Sequence, residues 1–265
     1  MMSTMLSVGS VFSYIGYIIL AILILLLMVL IHELGHYLAG KMLKFKITEF
    51  SVGFGPKIFQ KKKKNGELIS LRALPLGGYC AFEGEGENLE ENGENSNPDA
   101  FMNQKAWKRL IVLFFGAFFN FLSAFIFSFL FLLVRGDGFV DSLVRCVPFT
   151  FELTWQILVI FGQLITGKLG VSSLTGPVGT IKVIADFTQQ SATIGFLLLP
   201  LIALNLAIFN LFPIPALDGF QMIFTLIEMI RKKPVKQEII NLVNNIGLFV
   251  LLGLVVLIDI INFFA

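Results

Sequence analysis

Charged residues are scarce in this sequence. Only 14% of the 265 residues are charged, whereas 56% are apolar. Ordinary soluble domains carry about 25% charged and about 45–50% apolar residues. The apolar excess is concentrated in long runs without charge. This pattern excludes an ordinary soluble domain and indicates a chain whose solvent is the lipid bilayer.

Cysteine and histidine are also rare, with two residues of each. Cys80 and Cys146 lie in different polar segments, and the topology derived below places them on opposite sides of a membrane, so we expect no disulfide. Both histidines, His32 and His36, fall within one segment of five residues, His-Glu-Leu-Gly-His. The basic residues flank apolar runs and are not mixed with exposed aromatic residues, which argues against nucleic acid as a partner.

Four segments are long enough to cross about 30 Å of hydrocarbon at the rise of an α-helix. They are residues 11–39, 110–134, 193–230 and 239–258. A further apolar stretch, residues 153–166, is short and fits an interfacial or re-entrant piece better than a span. The first apolar run is longer than the core of a signal peptide, so we expect no cleavable signal. The sequence therefore predicts an all-α polytopic membrane protein that forms a single domain over residues 1–265.

The distribution of Lys and Arg predicts how the chain is oriented. Residues 41–109 hold 12 of the 20 basic residues, residues 231–236 hold four, and residues 135–191 hold the other four. The positive-inside rule places the first two regions in the cytoplasm. Both termini and an outer loop at 135–191 then lie outside. Within 41–109, short apolar stretches around the Asn65-Gly66 turn signal predict a small β-hairpin or two on the cytoplasmic side.

The His-Glu-Leu-Gly-His segment matches the H-E-x-x-H pattern of zinc hydrolases. On a helix, His32 and His36 are one turn apart and face the same side, so both imidazoles can reach one zinc ion. Zinc lowers the pKa of water from about 15.7 to about 7, and Glu33 is placed to take the proton as general base. Ionisable residues in a membrane span are candidate functional residues, because a charge there costs about 2.5–3.5 kcal/mol.

A third zinc ligand cannot be a histidine, because the chain has no other. A carboxylate or a cysteine remains. Asp218 interrupts an apolar span, and the preceding Pro213 and Pro215 predict a break in the helix at 213–217. Broken backbone at membrane depth is tolerated where it lines a cavity or is buried in protein. Asp218 is therefore the strongest candidate for the third ligand.

Gly116 and Asn120 lie four residues apart in the second span. A glycine followed at this spacing by a small or polar residue often marks close packing between membrane helices. We interpret the pair mainly as packing against the first span. The alternative is a role in holding the metal site together.

Several segments together resemble the site-2 protease family of intramembrane zinc metalloproteases, in its bacterial RseP-like branch. The strongest are His-Glu-Leu-Gly-His at the end of the first span and Asn-x-x-Pro-x-Pro-x-Leu-Asp-Gly at 210–219. Supporting segments are Phe50 to Pro56, Leu74 to Tyr79, and Gly176 to Gly179. Unlike many members, this chain has too short a loop at 135–191 to hold a PDZ domain, and Phe220 follows Asp218-Gly219 where the family commonly has another glycine.

The resemblance implies that His32, His36 and Asp218 bind one Zn²⁺ per chain and that Glu33 is the catalytic base. It places Asn210 beside the substrate. Pro213 and Pro215, in the broken segment, are also expected to contact the substrate. It also implies that the region of Gly77 and Gly78 forms a membrane-associated β-structure near the site, whose edge pairs with an unwound substrate segment.

The predicted function is that of an intramembrane zinc endopeptidase in the inner (plasma) membrane, with its active site toward the cytoplasm. Its substrate would be the transmembrane segment of a single-pass membrane protein, cut in regulated intramembrane proteolysis. Two alternatives from other classes remain. Intramembrane His and Asp also occur in metal-ion transporters, although the chain has one such site and no internal repeat. A catalytically silent scaffold is the other alternative.

Overall fold

The computed structural model describes residues 8–85, 100–170, 174–233 and 235–264. Within them the chain is mainly helical and has one small antiparallel sheet, which confirms the predicted fold class. The elements in chain order are α1 (Val8–Met42), β1 (Ile47–Lys62), β2 (Leu68–Phe82), α2 (Ala106–Arg135), α3 (Phe139–Ile165), α4 (Pro177–Gln190), α5 (Ala192–Asn210), α6 (Asp218–Arg231) and α7 (Gln237–Phe264).

Five of the described helices are long and apolar enough to cross a membrane: α1, α2, α3, α5 and α7. Many of their large apolar side chains are exposed, as expected for surfaces that face lipid. Four of the five helices correspond to the four predicted spans. The chain is therefore an integral membrane protein.

The fifth helix, α3, differs from the sequence interpretation. The stretch at 153–166 is not a short separate piece but the second half of a helix of 27 residues. Its first half contains Asp141, Arg145 and Glu152, which interrupt the apolar run without interrupting the helix. Five crossings would leave the termini on opposite sides, so the prediction that both lie outside depends on α3 not crossing. The described parts of 135–191 form α3 and α4 rather than a PDZ domain.

The predicted break in the third span is present between α5 and α6. Helix α5 ends at Asn210, residues 211–217 are irregular, and α6 begins at Asp218. Proline alone does not explain the break, because Pro200 lies inside α5. The irregular segment is held from outside: Asn244 on α7 accepts a hydrogen bond from the Ala216 N–H at 3.2 Å, and Gly247 leaves space for Pro215.

The two strands pair with each other in two registers. Phe50 of β1 pairs with Cys80 and also with Ile69, so the first part of β1 has a neighbour on both sides. Its second part pairs with residues 68–72 around the predicted turn, where Gly66 has a φ of 89°. In this way β2 brings Gly77 and Gly78 back beside the start of β1. The predicted hairpin region is confirmed.

The chain divides into two compact units. One unit contains the residues up to Leu25, those from Ala124 to Ile202, and those from Leu254 onward. A cluster of buried side chains in it includes Phe131, Leu132 and Cys146. The other unit runs from Leu26 to Ser123 and from Ala203 to Gly253, and it contains every residue predicted to form the site. Each unit draws on distant stretches of the chain, so no single boundary in the sequence separates them, and the single domain over 1–265 stays a prediction.

Candidate metal centre

Three predicted ligands lie together in the second unit. The Nε2 atom of His32 is 3.1 Å from that of His36. The Oδ2 atom of Asp218 is 2.9 Å from Nε2 of His32 and 3.3 Å from Nε2 of His36. The three form a group whose ligand atoms all lie within 4.8 Å of one another. Neither cysteine belongs to this group.

The spacing of these three atoms fits a tetrahedral zinc ion. With Zn–N and Zn–O bonds of about 2.0–2.1 Å, neighbouring ligands of a tetrahedral site are about 3.3 Å apart. The observed separations of 2.9, 3.1 and 3.3 Å are close to that edge length. Three protein ligands leave a fourth position open, as in catalytic zinc sites. Two imidazoles and one carboxylate are also ligands that zinc accepts.

The two histidines are positioned by α1, which is continuous through the motif. Both are buried, with exposed fractions of 6% and 7%. Nδ1 of His36 is 2.8 Å from the carbonyl oxygen of Val112 on α2. Since a carbonyl only accepts, Nδ1 of His36 carries the proton and Nε2 is free to bind a metal.

Helices α1 and α2 approach each other closely at two glycines. A β-carbon on Gly35 would lie 2.2 Å from the carbonyl oxygen of Phe115. A β-carbon on Gly116 would lie 2.3 Å from Nε2 of His36 and 2.7 Å from Cε1 of His32. The close packing predicted for Gly116 is therefore present, and the surface it leaves open is occupied by the two imidazoles.

Asp218 reaches the histidines because the span is broken just before it. Asp218 is the first residue of α6. Gly219 follows it and lies in close contact with the first residues of the irregular segment. A β-carbon on Gly219 would lie 2.4 Å from the carbonyl oxygens of Leu211 and Phe212. A larger residue at 219 would push the start of α6, and with it Asp218, away from the histidines.

A cavity of about 370 Å³ adjoins the three ligands, and Glu33 lines it. The Cys80 backbone N–H donates a hydrogen bond to the Glu33 carboxyl group. A β-carbon on Gly78 would lie 3.5 Å from Cγ of Glu33, so strand β2 passes beside the Glu33 side chain. Burial raises the pKa of the Cys80 thiol above its usual range.

The residues predicted to bind substrate fall into two groups. Gly77, Gly78 and Asn210 line the cavity. Pro213 is exposed, Pro215 packs against Gly247 of α7, and neither lines the cavity. Phe220 is also absent from the lining and packs on Phe224 at 4.8 Å between ring centroids. The structure thus brings Asn210 and the two glycines to the site and leaves the prolines to shape the break.

Several residues at the site have no motif that singles them out in the sequence. The Val112 carbonyl orients His36, and the cavity lining also includes Cys80, Glu85, Leu206 and Gln221. A backbone carbonyl has no signature in the residue type, so nothing in the sequence indicates Val112. Cys80 and Glu85 closely follow the Leu74 to Tyr79 segment. This position in the sequence is the only feature that indicates a place for them near the site.

The chain is similar to a known protein family and to several curated proteins. The model of peptidase family M50 matches residues 20–254. A Fusobacterium nucleatum protein named as a candidate zinc metalloprotease is 26% identical over 76% of this chain and 85% of its own length. A protein of the same description from Clostridium acetobutylicum is 26% identical over 92% of this chain and 96% of its own length. A third, from Campylobacter jejuni, is 24% identical over 85% and 87% respectively.

The match to the family model covers most of the sequence, including both histidines, Glu33 and Asp218, and no PDZ domain is evident in it. The relatives are named as candidate zinc metalloproteases, and five helices among the described residues are long and apolar enough to cross a membrane. The chain belongs to peptidase family M50, the site-2 protease family of membrane zinc metalloproteases.

Proposed function

We propose that this protein is an intramembrane zinc endopeptidase that cleaves the transmembrane segment of a single-pass membrane protein, in regulated intramembrane proteolysis. The observation that carries the proposal is the convergence of His32, His36 and Asp218 at tetrahedral spacing, beside a carboxylate, in a cavity of about 370 Å³. All of these groups lie on helices within an apolar chain or at the break between two of them.

His32, His36 and Asp218 would hold one zinc ion per chain, His36 in the tautomer selected by Val112. Bound zinc would supply Lewis acidity, polarising the scissile carbonyl and bringing the pKa of water to about 7. Glu33 takes the proton from the attacking water and returns it to the leaving amine. Glu33 lines the cavity beside the three ligands, where it can reach a water molecule bound at the metal.

Substrate positioning is assigned to β2 and Asn210. Gly77 and Gly78 line the cavity, and residue 78 pairs with Val52 of β1 on one side. Among the described residues, no strand pairs with the other side of 78–82. An unwound substrate segment can add to this edge as a further strand, which exposes its peptide bonds to attack. Asn210, at the end of α5, lies across the same cavity.

The distribution of basic residues supports the location and orientation proposed for the protein. Residues 41–109 carry most of the basic residues, which favours a cytoplasmic position and an active site toward that face of the plasma membrane. Proteoliposomes with a protease-accessible epitope in residues 61–64 would test this orientation.

The decisive experiment uses Glu33→Gln in purified protein reconstituted into liposomes with a single-pass substrate. We expect cleavage to fall by at least about 10²–10⁴-fold while the zinc content stays at one ion per chain, because Gln cannot accept the proton and is not a ligand. Glu152→Gln, which alters an exposed carboxylate on α3, is the matched control and retains wild-type cleavage.

Three other outcomes would contradict the proposal. Wild-type cleavage by Glu33→Gln would remove the assigned base. Zinc flux across the liposome membrane without cleavage would favour a transporter. Protein that folds but binds no zinc would favour a silent scaffold.

A further inference from the structure

Besides Oδ2 of Asp218, the buried polar groups without a hydrogen-bond partner among the described residues include one on α1 and one in the middle of α2. One is Nδ1 of His32, and the other is the side-chain amide of Asn120, at both its oxygen and its nitrogen. Asn120 is fully buried in α2. A buried polar group without a partner destabilises the fold, so such groups need a reason to be present.

The contacts between α1 and α2 indicate where Asn120 lies along α2 relative to His32. Val112 contacts His36, whereas Gly116, one turn later, lies against both His36 and His32. As α2 advances, its contacts on α1 move toward the N-terminus, so the helices run antiparallel. Asn120 is one further turn along the same face of α2, on the side of His32.

The chemistry of the site requires an acceptor at that place. Nε2 of His32 faces the other two ligands, at 3.1 Å from His36 and 2.9 Å from Asp218. Binding a metal through Nε2 leaves the proton on Nδ1, and metal-bound histidines almost always donate this proton to a carbonyl or carboxylate. His36 has the Val112 carbonyl for this purpose. Asn120 offers an amide oxygen to His32.

We propose that Asn120 is a positioning residue that, in the zinc-loaded protein, accepts a hydrogen bond from Nδ1–H of His32 through one bridging water molecule. It thereby holds the imidazole in the tautomer and orientation that bind zinc. The inference rests on the proposed zinc site and goes beyond it, because it assigns Asn120, a buried polar residue of α2, to one of the two histidines.

Zinc affinity measured against a competing chelator tests the assignment. Asn120→Leu removes the acceptor and should weaken zinc binding about 10–100-fold. Asn120→Asp keeps an acceptor oxygen and should retain affinity within a few-fold. Ser128→Ala is the matched control: it removes a buried hydroxyl on α2 that bonds Thr150 at 2.8 Å and should leave zinc affinity unchanged.

A second measurement separates positioning from packing. Because the chain has only two histidines, ¹⁵N-histidine labelling yields one pair of ring signals for each. In the zinc-loaded protein, Asn120→Leu should shift the Nδ1–H signal of His32 and leave that of His36 in place. Asn120→Ala, which adds no bulk, repeats the test if the leucine variant does not fold.

The outcomes distinguish this inference from the proposed function. If wild-type protein binds no zinc, the proposed zinc site fails. If wild-type protein binds zinc and Asn120→Leu or Asn120→Ala binds it within twofold of wild type with an unshifted His32 signal, only the role of Asn120 is overturned.

Discussion

Gly116 of α2 lies so close to His36 of α1 that a β-carbon would stand 2.3 Å from the Nε2 atom. No real carbon atom can occupy that position while the imidazole keeps its place. The second span therefore contributes to the metal centre through the absence of a side chain.

We predict that Gly116→Ala weakens zinc binding by more than about tenfold, because one or both imidazoles must turn away from the shared position. Chelator competition in detergent measures the effect. Gly16→Ala is the control, since a β-carbon on Gly16 of α1 would meet no other atom within 4 Å. Equal zinc affinity of the two variants would contradict the close contact at Gly116.

Glu67 predicts a dependence of stability on acid. Burial opposes its ionisation, but hydrogen bonds from Lys41, Asn65 and Lys63 outweigh that effect and lower the pKa from 4.5 to about 2. A lowered pKa contributes stability that is fully present above pH 4.5 and is lost as the pH falls toward 2.

Glu67→Gln should therefore reduce the free energy of unfolding by about 1–3 kcal/mol at pH 7. The difference from wild type should shrink between pH 4.5 and 2. Thermal unfolding in detergent across this pH range measures the difference. Glu152→Gln, at an exposed position, is the control and should have the stability of the wild-type protein at each pH. If the difference does not change with pH, Lys41 and Lys63 do not stabilise the ionised form of Glu67.

Arg109 and Glu228 form a buried ion pair between α2 and α6, with side-chain exposures of 7% and 5%. Glu228 also accepts a hydrogen bond from the Val235 N–H at 3.0 Å. Removing one partner of a buried pair leaves an uncompensated charge, so Glu228→Leu should cost about 3–5 kcal/mol of stability.

The double variant Arg109→Met with Glu228→Leu should recover most of that loss, because neither charge then remains. A double-mutant cycle on unfolding midpoints measures the coupling. Additive losses would mean that the two side chains do not interact in the folded protein.

Asp259 of α7 explains the glycine-rich segment that precedes the third predicted span. Its carboxylate accepts hydrogen bonds from the N–H groups of Val178 and Gly179, at 3.1 and 3.0 Å. A β-carbon on Gly176 would lie 2.4 Å from the carboxylate carbon. Gly176→Ala should thus displace Asp259 and destabilise the start of α4 by about 1–3 kcal/mol.

Hydrogen exchange of the amides at 178–180 reports this change directly, as faster exchange. Gly162→Ala, at a helical glycine of α3 with nothing within 4 Å, should leave those amides unaffected. If both substitutions give wild-type exchange, Asp259 does not cap α4.

Local patterns are sufficient to predict part of the fold and of the site. His32 and His36 are four residues apart on one helix, so their shared face follows from helical geometry alone. Two prolines in an apolar run predict a break before Asp218, although contacts with α7 also hold the irregular segment, and an Asn-Gly pair predicts the turn at Gly66. The full length of α3 does not follow from the apolar pattern, because charged residues end an apolar run without ending a helix.

The sequence by itself determined the membrane class, the pair of histidines with Glu33, and Asp218 as the strongest remaining candidate ligand. These conclusions depend on hydropathy, on spacing within one helix, and on a count of only two histidines. Tertiary structure alone decided that Gly116 makes room for both imidazoles, that a Val112 carbonyl orients His36, and that β2 passes beside Glu33. These contacts join residues that are far apart in the sequence. They depend on how closely the helices and the strand pack, and the residue types alone do not determine those distances.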